Sequence, residues 1–104
     1  MLAVYIPCKD KMEAAHIADI LLSKKLIACA NLFPSTSMYF LDAEKKETEE
    51  IIILAKTLDE KFSLIQKEVS SLHSYDCPCI TAWKIDFVNK DYENWVKKSL
   101  KKKE

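Results

Sequence analysis

Glycine is absent from this 104-residue chain. No glycine-rich loop can therefore bring its backbone against a phosphate, which excludes P-loop and dinucleotide-fingerprint sites. Arginine is absent too, so all 16 basic side chains are lysines. Without the planar guanidinium fork, bidentate recognition of phosphate or carboxylate is lost and only point charges remain. An acylphosphatase-like enzyme, which needs an arginine-lined phosphate cradle, is excluded on the same ground. Net charge is lacking as well, since 16 acidic residues balance the lysines. No field gathers nucleic acid or an anionic membrane, and neither nucleic-acid partners nor membrane insertion is expected. An RNA-binding sheet would also need stacking aromatics where Ile51, Ile52 and Ile53 stand. No apolar run approaches the roughly 20 residues that span a bilayer. The opening Met1-Leu2-Ala3-Val4-Tyr5-Ile6-Pro7 carries no basic leader and no small-residue cleavage site. A cytoplasmic location follows as the expectation, with Cys8, Cys29, Cys77 and Cys79 reduced.

The residues present are 49% hydrophobic and 31% charged, the balance of an ordinary globular domain. One domain over residues 1–104 is expected, with a core small enough to gain from subunit association. Lys97, Lys98, Lys101, Lys102 and Lys103 cluster at the end, where a helix C-terminus favours cations.

Leu2 to Pro7 reads as a strand. Asp10, three residues before Glu13, predicts a reciprocal cap on a helix over 11–24 with Ala14, Ala15, Ala18, Leu21 and Leu22 as its apolar stripe. Leu26 to Phe33 reads as a buried strand, with a kink or bulge predicted at Pro34–Thr36 before the strand resumes through Leu41. Asp42 to Lys46 is the expected turn, with Asp42 or a polar neighbour supplying left-handed geometry. Glu47 to Thr57 forms the third strand. Asp59 opens a second helix with Phe62, Ile65, Val69 and Leu72 on one stripe, Cys79 to Phe87 reads as the fourth strand, and a last helix runs from Asn89 or Asp91 to about Lys101 with Tyr92, Trp95, Val96 and Leu100 inward.

The order β-α-β-β-α-β-α predicts an α+β fold: a ferredoxin-like βαββαβ sandwich with an additional C-terminal helix and a long hairpin between the second and third strands. Hairpin arms of a dozen residues reach about 40 Å at ~3.3 Å per residue. A globule of this size is only about 35 Å wide. Part of the hairpin should overhang its own sheet, where a sister chain's strand would satisfy its free edge.

Several stretches carry a family resemblance. Leu26-Ile27-Ala28-Cys29-Ala30-Asn31 with Pro34 is similar to "LAACVN..P", and Ser37-Met38-Tyr39 to "S-x-Y". Glu50 with Lys56-Thr57 resembles "E-x-x-x-x-x-K-T", Leu72-His73-Ser74-Tyr75-Asp76-Cys77-Pro78 resembles "LHPYExP", and Tyr92 with Trp95 fits "Y-x-x-W". In this order they resemble the CutA divalent-cation-tolerance proteins over nearly the whole chain. Departures fall at Leu41 and Ala43, where the family has Trp and Gly, and at Ser74 and Cys79. The resemblance implies a homotrimer joined by long hairpins. It implies a non-catalytic role in divalent-metal tolerance, with copper or another divalent ion as ligand and no required cofactor.

The metal candidates are Cys29, His73 and Glu50, with Cys77 and Cys79 second. Thiolates suit soft ions such as Cu(I) and zinc, while Cys29 in an apolar strand also reads as core packing. Cys77-Pro78-Cys79 would point two sulfurs the same way if strand alternation held. His73 reads equally as a ligand and as a hydrogen-bonding anchor for its loop. Tyr39, Lys56, Tyr75 and Trp95 are expected at the subunit interface or cleft. The alternative function is a trimeric small-molecule sensor or scaffold that binds no physiological metal.

Overall fold

The computed structural model describes residues 1–101. Alternation along the first strand decides where the core lies. In β1 (Leu2–Cys8), Leu2, Val4, Ile6 and Cys8 enter the core, while Ala3, Tyr5 and Pro7 face the other side of the sheet. On the core side stand Ile53 and Ala55 of β3 (Glu44–Thr57), directly opposite Ile6 and Val4. Against them pack α1 (Lys11–Ser23) and α2 (Phe62–Leu72). The remaining elements are β2 (Cys29–Leu41), β4 (Thr81–Lys84) and α3 (Lys90–Ser99). One antiparallel sheet in the order β2-β3-β1-β4 results, the α+β ferredoxin-like arrangement with α3 added.

The buried stripe of α1 is Ala14, Ile17, Ala18 and Leu21. Ala15 and Leu22, expected inside, are exposed. At 3.6 residues per turn the positions three, four and seven after Ala14 stay on its face, and Ala15 and Leu22 lie one step round from it. Asp10 Oδ1 accepts from the Glu13 N–H at 2.8 Å, but Glu13 returns to the N–H of Lys9 at 3.0 Å rather than to Asp10's own. The helix ends on Lys25 (φ 58°), with Leu26 N–H donating to Leu21 O and Lys25 N–H to Leu22 O. These are the two hydrogen bonds of a Schellman cap, in which glycine usually holds the left-handed place.

The predicted bulge at Pro34 does not occur. The β2–β3 register runs unbroken from Cys29↔Lys56 through Pro34↔Ile51 to Leu41↔Glu44. Because β2 is an edge strand, alternate N–H positions are free of the ladder, and a proline fits one of them. The turn is also shorter than Asp42–Lys46: it is Asp42-Ala43, both left-handed (φ 51° and 67°), the geometry of a two-residue hairpin turn. Lys45 and Lys46 belong to β3.

β4 is Thr81–Lys84 instead of Cys79–Phe87, since among the described residues it pairs only with the Leu2–Tyr5 stretch of β1. β1 in turn reaches along β3 only to Ile51. Glu44–Glu50 and their partners on β2 therefore project beyond the sheet, and the molecule measures 50 × 28 × 21 Å. α3 ends at Ser99, two residues short of expectation, and Trp95 is 47% exposed rather than inward. Lys102 and Lys103 of the basic cluster lie outside the described residues.

Candidate metal centre and sheet-face cavity

Beyond Tyr5, β1 has no β4 neighbour, and its free edge is covered by the chain leaving α2. His73, the residue capping α2, places Nε2 2.7 Å from the Pro7 carbonyl oxygen, and its Nδ1 accepts from the Tyr75 N–H at 3.1 Å. Nε2 is thus the protonated nitrogen, donating to Pro7. The imidazole is fully shielded, with the Tyr75 ring 4.7 Å away. Glu13, in the first turn of α1, accepts from Lys9 N–H through Oε1 and from Ser74 N–H at 2.9 Å through Oε2. Oε1 also lies 3.9 Å from His73 Nε2. Burial pushes the Glu13 carboxyl up, but the hydrogen bonds from Lys9 and Ser74, with His73 nearby, outweigh it and hold the group below its usual value.

Cys8, the last residue of β1, completes the group. One donor atom each of Cys8, Glu13 and His73 lies within 4.8 Å of the others. Burial, reinforced by the charges of Glu13, Glu50 and Asp10, pushes the Cys8 thiol from 9.0 up to about 12. Among the described residues, Sγ has only the Ile6 carbonyl oxygen as acceptor, at 3.8 Å.

Tyr75 links this cluster to the helix-free face of the sheet. Its hydroxyl donates to Glu50 Oε2 at 2.8 Å, while Ser37 donates to Oε1. Burial and the Glu50 carboxylate push the Tyr75 phenol well above its ordinary range. Glu50, 9% exposed, lies in a cavity of about 640 Å³ formed by Tyr5, Pro7, Ser37, Tyr39, Thr48, Tyr75, Cys77 and Cys79. No lysine lines it.

The sequence candidates thus divide. His73 and Glu50 meet through Tyr75. Cys29, at the far end of β2, instead contacts the Tyr92 hydroxyl at 3.0 Å, and Tyr92 stacks on Trp95 at 5.7 Å. Burial and the Cys29 contact raise that phenol to about 12. Cys77 and Cys79 precede β4, so strand alternation does not apply to them, yet both are exposed and border the same cavity. Tyr39 meets Thr48 at 3.0 Å across the hairpin, and Lys56 Nζ donates to Asn31 Oδ1 at 3.4 Å. Neither Cys8 nor Glu13 carries a metal-ligand signal in the sequence. Glu13 read as a helix cap, and only the fold brings a strand end, a helix start and a helix exit together.

The family model described as CutA1 divalent ion tolerance protein matches residues 2–99. This chain belongs to that family. Among its CutA relatives is the divalent-cation tolerance protein CutA of Archaeoglobus fulgidus, 36% identical over 97 residues, covering 93% of this chain and 95% of the relative. The Pyrococcus horikoshii CutA is 32% identical over 102 residues, covering 98% and 100%. The solved structure of the A. fulgidus CutA, described as a periplasmic divalent cation tolerance protein, superposes with a TM-score of 0.93 at 35% identity, covering 97% of this chain and all of that one. Among the described residues of this CutA1 chain, no helix is long and apolar enough to cross a membrane.

Proposed function

We propose that this CutA1-family chain is a non-catalytic, trimeric protein of divalent-cation tolerance that holds one ion per subunit between Cys8, Glu13 and His73, with copper among its ions. The observation that carries the reading is the meeting of three unlike donors within 4.8 Å, each from a different element. The set fits the group: thiolate, imidazole and carboxylate together suit zinc and copper ions, which accept mixed N, O and S ligands. Binding requires three local changes. Cys8 releases its proton, His73 Nε2 gives up its bond to Pro7, and the imidazole proton moves to Nδ1, which then no longer accepts from the Tyr75 N–H, while Glu13, already ionised, provides the charge that favours a cation. Glu50 and Tyr75 lie immediately behind as an anionic hydrogen-bonded support.

The trimer is supported by the projecting hairpin, whose outer β3 edge from Glu44 to Glu50 has no partner among the described residues. Met38, Phe40 and Leu41 near its tip and Trp83 on the sheet are half or more exposed, as surfaces awaiting sister chains would be. In this reading Tyr39 belongs to the hairpin interface, while Lys56, opposite Cys29 at the other end of β2, and Trp95 of α3 lie away from the hairpin tip. The four free cysteines accord with a reducing compartment such as the cytoplasm.

A small-molecule sensor is the second reading, favoured by the cavity of about 640 Å³ around Glu50. Calorimetric titration with Zn²⁺, which has no redox chemistry, separates the two. One ion per subunit with proton release is expected. Cys8→Ser and Glu13→Gln should each weaken it by at least the roughly tenfold that even an outer-shell partner costs. Unchanged Zn²⁺ binding in both variants refutes the site.

A further inference from the structure

The cysteines bordering the sheet-face cavity are not used by the site just described. Cys77 and Cys79 are both exposed, and they border one cavity with the buried Glu50. Two residues apart, their Cα atoms are at most about 7 Å from each other. Two metal–sulfur bonds of about 2.3 Å bring the sulfurs to within roughly 4.6 Å, a span compatible with Cα atoms that close. Pro78 between them fixes its own φ and restricts Cys77, which lowers the conformational freedom lost on closing a chelate.

The cavity's chemistry then selects the ion. Among the described residues, a cation there meets one carboxylate, three tyrosine rings and no lysine. Among the described residues no imidazole borders the cavity and only two sulfurs do, so the tetrahedral nitrogen and sulfur set of a structural zinc site is incomplete. A soft monovalent ion is satisfied by two thiolates, and thiolates prefer Cu(I). We infer that Cys77 and Cys79 form a second, thiophilic site that captures Cu(I) at the mouth of the Glu50 cavity. On binding, each thiol releases its proton to solvent and each sulfur donates an electron pair to the ion. No electron is transferred, and affinity therefore rises with pH. The inference deepens the metal reading above, because it gives the reduced ion an exposed site separate from the shielded Cys8 thiol.

The test is anaerobic competition for Cu(I) between the full-length protein and a chromophoric Cu(I) chelator. The second thiolate binds intramolecularly, so Cys77→Ser and Cys79→Ser should each weaken Cu(I) capture by about 10²-fold or more, and the double variant, which has neither thiolate, should bind more weakly still. Zn²⁺ titration of the double variant should still show the Cys8, Glu13 and His73 site. Cu(I) affinity unchanged in the double variant overturns the inference whatever Zn²⁺ does. Loss of Zn²⁺ binding in Cys8→Ser alongside intact Cu(I) capture keeps the two readings distinct. Loss of Zn²⁺ binding in the Cys77/Cys79 double variant would also overturn the inference, by merging the two sites into one.

Discussion

Lys25 and Ala43 bear a β-carbon in backbone positions that glycine normally fills, at φ 58° and 67°. Left-handed geometry costs such residues roughly 1–2 kcal/mol, in part because the β-carbon crowds the following carbonyl. A chain without glycine carries that cost at both its helix cap and its hairpin turn. Ala43→Gly should therefore raise stability by about 1 kcal/mol, less than the full penalty because glycine frees the unfolded chain. A higher denaturation midpoint at constant slope in guanidinium is the expected result, and an unchanged or lower midpoint would show that the turn is unstrained. At the same scale, the Cys8 thiol is held neutral up to about 12, against 9.0 ordinarily. Below pH 9 both the folded and unfolded states keep that proton. Between 9 and 12 only the folded state does, so the unfolded state binds fewer protons and stability falls as pH rises through this window. Tyr92, raised to about 12, adds to the loss at its upper end. Denaturant midpoints from pH 8 to 11 should decline in the parent chain and decline less in Cys8→Ala.

Among the elements, Glu13 binds the start of α1 to the chain that leaves α2, through two backbone N–H groups on opposite sides of the cluster. Glu13→Ala leaves both donors without their carboxylate and should cost about 1–3 kcal/mol, with faster amide exchange at Lys9 and Ser74. Exchange unchanged at both would show that water replaces the carboxylate at no cost. Much of this architecture could be read in advance. Asp10 marked the first helix start, the Ile51–Leu54 run marked a central strand, and the hairpin's length announced the overhang. What escaped depended on neighbours. Pro34 signals a break in isolation, yet an edge strand accommodates it. Cys79 looks like strand until β1 offers β4 only four partners. Ile17 lies at the centre of its helix stripe, but the alanines around it carried the pattern. Cys8 and Glu13 could be found only after folding, because their nearness to His73 is set by a sheet edge and two helix ends rather than by spacing.

For the whole molecule, the long axis of 50 Å is set by a hairpin that one sheet cannot cover. Its exposed edge and the apolar side chains near its tip would favour aggregation in a lone subunit, and association into the proposed trimer would remove both liabilities. Deleting residues 38–46 and closing the shortened hairpin with a two-residue turn should leave the helical layer folded by circular dichroism but shift the protein to monomers in analytical ultracentrifugation. A trimer that survives the deletion would place its interface elsewhere. The most direct measurement is native mass spectrometry of the full chain after Zn²⁺ exposure and removal of excess ion. The result predicted is a trimer carrying three ions, and a trimer without ions when Cys8 is replaced by serine. A monomer, or a parent trimer that retains no ion, would contradict it.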